Sequence, residues 1–129
     1  AKAKVDAGAE YIVTQMFFDN QHFFRYVEKC RAAGIAVPII PGLKILSSRA
    51  QLAGIPRNFF VDIPAELSDR VLAAAEDAAL EVGVAWAVRQ VEELLAHDVP
   101  SIHFYVMQSA KAVNQLLGRV DLGLRALSR

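Results

Sequence analysis

Two neutral amides stand where a folded chain would present them to a ligand. Gln15 closes the apolar run Tyr11-Ile12-Val13-Thr14 and precedes Met16-Phe17-Phe18 and the helix-capping pair Asp19-Asn20. Gln51 comes soon after Val37-Pro38-Ile39-Ile40-Pro41-Gly42-Leu43, behind Lys44, Ser47 and Ser48. A glutamine side chain carries both a carbonyl acceptor and an NH2 donor. A pair of them suits a heterocycle with alternating donors and acceptors, such as a pterin or a nicotinamide amide. A third polar end, Tyr105 and Gln108, closes the run that begins Ser101-Ile102-His103-Phe104. Each amide also has a plainer reading from position alone. Gln15 can satisfy loop backbone, and Gln51 can be a solvated helical residue.

Other chemistries find less support. His22, His97 and His103 have no Cys or His neighbour at metal-ligand spacing, so no metal site is expected. There is no GxGxxG and no P-loop. No Ser/His/Asp grouping follows from spacing. Asp19 fits a helix cap better than a catalytic acid, and no residue stands out as a general acid. Cys30 is the only cysteine and cannot form an internal disulfide; among apolar neighbours on a predicted helix, it fits a small core position.

These residues need parallel strands to bring them together. Residues 11–18 form a predicted first strand. A helix capped by Asp19 or Asn20 follows, with Phe23, Val27, Cys30 and Ala33 on its apolar face and Gly34 at its end. The second strand is Val37 to Leu43, with Pro38 near its start and Pro41-Gly42 at its exit. Ser47 or Ser48 is expected to cap a short helix to about Ala53, broken by Gly54-Ile55-Pro56. Residues 58–63 read as an irregular apolar link. Pro64 opens a helix to about Ala75, and a longer one spans about residues 78–96, with Val84, Val88, Val91, Leu94 and Leu95 inward and Trp86 in its core. The third strand covers residues 101–107, and a last helix about 110–117 before Gly118. Strand–helix, strand–helices, strand–helix is an α/β arrangement of parallel βα units. In such folds ligands bind at the carboxyl ends of the strands, so the three polar ends are expected on one rim.

Composition bounds the rest. The 129 residues are 54% hydrophobic and 22% charged, with mean hydropathy +0.28, richer in apolar side chains than an average domain. Fourteen basic against 14 acidic residues give zero formal charge and no basic stripe, so no nucleic-acid partner is expected. No apolar run approaches the roughly 20 residues of a membrane span. The chain lacks an initial Met, and residues 1–8 read as the end of a helix with Gly8 at its C′ position, so a cut from something longer is expected. Three strands cannot close a barrel, which takes about 250 residues.

At Lys4-Val5-Asp6-Ala7-Gly8-Ala9, Thr14-Gln15-Met16-Phe17-Phe18-Asp19, Ile39-Ile40-Pro41-Gly42 and His103-Phe104-Tyr105, the chain resembles the methylenetetrahydrofolate reductases. The blocks keep that family's order and spacing through about Gly118. They cover only the carboxyl-terminal part of its catalytic domain. The resemblance implies one segment, residues 1–129, forming about the last three βα units of a partial TIM (βα)8 barrel, with 119–129 a tail of unassigned role. It implies a cytoplasmic flavoprotein of one-carbon metabolism and methionine synthesis. FAD would be the cofactor and NAD(P)H the co-substrate. Hydride would pass through FAD to methylenetetrahydrofolate, giving ping-pong kinetics, with homo-oligomers possible.

By position, Gln15 looks like the glutamine that meets both folate and nicotinamide, Gln51 like a second folate contact, and Lys4 like a basic residue at the FAD phosphates. The family's catalytic glutamate would lie upstream of Ala1, leaving the isolated chain inactive. This chain departs from the pattern at Ser109, where an arginine contacts folate in relatives. It departs also at Ile55, in place of a ring-stacking Phe, and at Ala3, in place of a second basic flavin contact. Two other readings compete: a non-catalytic partial barrel that self-associates or binds a ligand, and an unrelated βα-barrel enzyme sharing the strand-end pattern.

Overall fold

Strand β1 (Ile12–Met16) hands the chain directly to helix α1 (Asn20–Ala32). The computed structural model describes residues 8, 10–106 and 111–120. The Asp19 carboxylate accepts the Gln21 N–H at 2.9 Å, satisfying one of the orphan donors of the helix start, as the sequence predicts. Gly34, at φ +85°, turns the chain out of α1, and the Ile35 N–H returns to the Cys30 carbonyl at 2.9 Å. Arg31 holds the same turn by donating to the carbonyls of Ile35 and Val37.

Strand β2 (Ile39–Leu43) is followed by α2 (Gln51–Phe59), α3 (Ala65–Ala73), a 3-10 turn (Glu76–Ala78) and the long α4 (Ala79–Ala96). Strand β3 (His103–Phe104) and α5 (Lys111–Leu117) complete the described chain. The sheet is parallel in the order β1-β2-β3, which confirms the α/β class and the succession of parallel βα units. Gly8 has φ +106°, as a C′ glycine would, while the helix expected before it lies outside the described residues.

Two apolar clusters fix the helices. One joins Ile39 and Leu43 of β2 to Phe23 and Cys30 of α1, Val91 and Leu94 of α4, and Leu116 of α5. The second packs Met16 and Phe18 against Ile55 of α2, Leu67 and Val71 of α3, and Ala79 at the start of α4. Cys30 is buried in the first, as expected. Gly83 brings α4 onto the chain after β2 so closely that a β-carbon there would overlap the Leu46 carbonyl.

The region after β2 corrects the sequence reading. Gly54-Ile55-Pro56 does not break a helix; α2 begins at Gln51 and runs through it to Phe59. Burial is the reason. Leu52, Ile55 and Phe59 fall on one face and pack into the second cluster, and that outweighs the one backbone bond that Pro56 cannot donate. Nor do Ser47 or Ser48 cap it by side chain. Ala50 takes the cap position without a side-chain bond, and the Gln51 side chain instead accepts the Ser47 N–H at 2.7 Å. Among the described residues no helix is long and apolar enough to cross a membrane, and no cluster of three metal-ligating side chains occurs.

Candidate functional site

Gln15 sits in an irregularity of β1 that has a definite cause. Val13 pairs with Ile40 and Met16 with Gly42, so β1 advances three residues where β2 advances two. The partner residue in that interval is Pro41, which has no N–H to give a ladder. The extra residue forms a bulge, a device common beside functional sites. Side chains satisfy it. Thr14 Oγ1 accepts the Gly42 N–H at 3.0 Å and donates to the Gln15 carbonyl at 3.0 Å. The Met16 N–H goes to Gln15 Oε1 at 3.0 Å. The Tyr105 hydroxyl crosses from beyond β3 to the Thr14 carbonyl at 2.7 Å.

Gly42 makes this crossing possible. A β-carbon there would stand 2.5 Å from the Thr14 oxygen and 2.7 Å from Tyr105 Cε2. The Tyr105 ring therefore lies over the glycine and clamps the first strand. Gln15 itself is exposed. Its acceptor is engaged within the bulge, while its Nε2 donor has no partner among the described residues.

The depression around Gln15 has a volume of about 460 Å³ and is lined by Val13, Thr14, His22, Tyr26, Phe60 and Asp62, among others. Burial, then the neighbouring Cys30 thiol, push the Tyr26 phenol above its ordinary pKa, so Tyr26 is neutral here. Phe60 is 94% exposed and holds φ +55° at the end of α2. Val13 on β1 is also exposed. The surface offered combines apolar and aromatic side chains with the polar groups of Thr14, Gln15, His22 and Asp62.

Gln51 lies elsewhere. It lines a separate cavity of about 600 Å³ with Lys44, Ser47, Ser48, Ile55 and Asn58, and the two depressions share no lining residue. The described residues thus place the two glutamines at the same end of the sheet but in different hollows, not in one common rim pocket. Ile55 stands in the Gln51 hollow, apolar but without a ring. Lys4, Ala3, Gln108, Ser109 and the tail from 121 onward lie outside the described residues.

The loop between β1 and α1 is tied from behind by α4. Gln90 is buried and donates to the Phe17 carbonyl at 3.2 Å and to Asn20 Oδ1 at 3.1 Å. Asn20, also buried, donates to the Gln90 carbonyl at 3.1 Å and to Glu93 Oε1 at 2.8 Å. Trp86 adds a bond from Nε1 to the Phe18 carbonyl at 2.8 Å and is flanked by Arg70 and Arg89. Removing one partner from such a network strands the others. Asn20→Ala should cost about 1–3 kcal/mol in urea denaturation with an unchanged m-value; wild-type stability would show that the network is idle. Its one signal in the sequence is a glutamine inside the apolar face Ala87, Gln90, Val91, Leu94.

Comparison with known proteins decides the family. The family model described as methylenetetrahydrofolate reductase matches residues 1–121. The chain belongs to the methylenetetrahydrofolate reductase family. It is 37% identical over 123 residues to methylenetetrahydrofolate reductase 1 of Schizosaccharomyces pombe, covering 94% of this chain and 20% of that protein. To methylenetetrahydrofolate reductase (NADH) 1 of Arabidopsis thaliana it is 34% identical over 125 residues, covering 95% and 21%. To 5,10-methylenetetrahydrofolate reductase of Escherichia coli it is 36% identical over 112 residues, covering 85% and 38%. The chain therefore spans about a fifth to two fifths of these methylenetetrahydrofolate reductases. The bulge, the Tyr105 clamp and the Lys44 hollow all lie within the matched residues.

Proposed function

We propose that this chain forms the carboxyl-terminal βα units of the catalytic (βα)8 barrel of a reductase converting 5,10-methylenetetrahydrofolate to 5-methyltetrahydrofolate with NAD(P)H. The family match over residues 1–121 carries the reading. The unpaired edges of β1 and β3 in the described sheet are compatible with further strands on both sides, as a barrel requires.

The exposed surface at the end of β1 fits a flat heteroaromatic group. Val13 and Phe60 offer apolar contact, and Gln15 Nε2 offers a donor to a ring acceptor. Bound FAD supplies the hydride chemistry, as cofactors of this class do. The residues of this chain bind and orient. Gln15 donates to the ligand at the β1 end, first nicotinamide and then folate. Gln51 contacts folate from the second hollow. The Tyr105–Thr14 bond keeps the Gln15 backbone fixed while ligands exchange. Lys4 is assigned to the FAD phosphates, and the acid of the reaction to a glutamate upstream of residue 1. The cytoplasm is the matching setting for such an enzyme.

The test is anaerobic stopped-flow on a full-length protein carrying this segment. NAD(P)H should bleach the flavin band and methylenetetrahydrofolate should restore it. A flavin that methylenetetrahydrofolate cannot reoxidise would sink the reading. The exposed Tyr11, Val13 and Phe60 also suit a self-associating partial barrel. That alternative requires concentration-dependent oligomers of the 129-residue chain in sedimentation, without bound flavin.

A further inference from the structure

The hollow beside Gln51 has a half-buried cation in its lining. Lys44 and Lys111 line it, with no carboxylate among the described lining residues; the other polar contributors are Ser47, Ser48, Gln51 and Asn58. Lys44 is half-buried just past β2, and no carboxylate among the described residues lies within ion-pair distance of it. Desolvation by burial pushes its ammonium below the usual lysine range, the expected response of a cation drawn from water without a counter-charge. In a comparable hollow behind the β1 loop, Arg89 shares the lining with Asp19, Glu66 and Glu93, and Glu66 pairs with Arg70.

The remaining wall is apolar. Ile45, Ile55, Phe59 and Leu80 contribute to a space of about 600 Å³, room for a flat group as well as an anion. Gln51 Oε1 is occupied by the Ser47 N–H, which leaves its Nε2 as a donor. The serine hydroxyls and the Asn58 amide can also donate. Among the described lining residues the charged groups are cationic, and donors stand beside them.

We propose that Lys44 is an anion-binding residue, holding the carboxylate or phosphate end of the ligand that Gln51 contacts. The inference rests on the folate reading of Gln51 and extends it to a residue that reading did not use. Two anions could come here: the glutamate carboxylates of a folate, and the phosphates of a nicotinamide nucleotide. The aromatic-plus-anion shape of the hollow suits both.

Calorimetry on the full-length protein distinguishes them, with p-aminobenzoylglutamate and nicotinamide mononucleotide as probes. Wild type, Lys44→Met, Lys44→Arg and Gln51→Ala are compared. Loss of one charge-assisted contact should weaken the bound probe about tenfold or more in Lys44→Met. Lys44→Arg should restore most of it. Weakening of p-aminobenzoylglutamate alone identifies the carboxylate, and weakening of the mononucleotide alone identifies the phosphate. Wild-type affinity for both probes in Lys44→Met, or no binding of either to wild type, overturns the proposal. Failure of the reductase reading is separate: it shows as a flavin that methylenetetrahydrofolate does not reoxidise, whatever Lys44 binds. An unaltered Gln51→Ala beside a weakened Lys44→Met would remove Gln51 from the site and leave the lysine in it.

Discussion

Gly83→Ala should destabilise the fold by about 3 kcal/mol or more, while Gly54→Ala should stabilise it by about 0.5–1 kcal/mol. Both glycines lie inside helices, Gly54 in α2 and Gly83 in α4. Helix propensity alone favours alanine at each, because glycine has more backbone freedom to lose. The surroundings decide the sign. A β-carbon on Gly54 meets nothing within 4 Å. One on Gly83 would run into the Leu46 carbonyl, with the Leu46 carbonyl carbon only 2.7 Å away. Those are backbone atoms next to the buried Ile45 and Leu46, so no side-chain rotation can relieve the clash. Either α4 lifts off the chain after β2, opening both apolar clusters, or that chain shifts and drags Lys44 with it. A loss of this size is a large part of a typical domain's 5–15 kcal/mol. Urea denaturation followed by Trp86, the chain's only tryptophan, reads both variants. A Gly83→Ala protein as stable as wild type would show that α4 does not approach Leu46 as described.

Local signals with local consequences were legible in the sequence. Asp19 caps α1, Gly34 ends it, and Pro64 stands just before α3, each through chemistry that a neighbouring residue or two completes. The order of strands and helices was readable for the same reason. Features that depend on a distant partner were not. Pro41 was visible as a strand exit, but the bulge it forces falls on β1, and only the pairing register links the two. The Asn20–Gln90 bonds join residues seventy apart in sequence. Gly54-Ile55-Pro56 carries a strong local break signal, yet Ile55 has a buried site to fill and the helix continues. The candidate site divides in the same way. Placing Gln15 near the end of β1 and Gln51 past the end of β2 followed from pattern; that they open into separate hollows depends on how α2 and α4 pack. Nothing in the spacing showed that Lys44 would be left without a carboxylate.

Gln15→Ala, in a full-length reductase carrying this segment, should slow flavin reduction by NAD(P)H and flavin reoxidation by methylenetetrahydrofolate together, each by about tenfold to a hundredfold. The dual loss follows from one donor serving two ligands in turn. Alanine alone cannot prove it, because Gln15 Oε1 also closes the bulge by accepting the Met16 N–H. Losing that bond leaves a donor in the strand unpaired and costs about 1 kcal/mol of stability. Gln15→Glu separates the two roles. A carboxylate still accepts the Met16 N–H, so the bulge and the Tyr105–Thr14 clamp should survive and the urea midpoint should stay near wild type. The carboxylate has no donor at neutral pH, so both half-reactions should remain as slow as in the alanine variant. A glutamate variant with wild-type rates would reduce Gln15 to a structural closure of the strand. If only one half-reaction slowed in both variants, Gln15 would serve a single ligand, and the other would be read by a different residue.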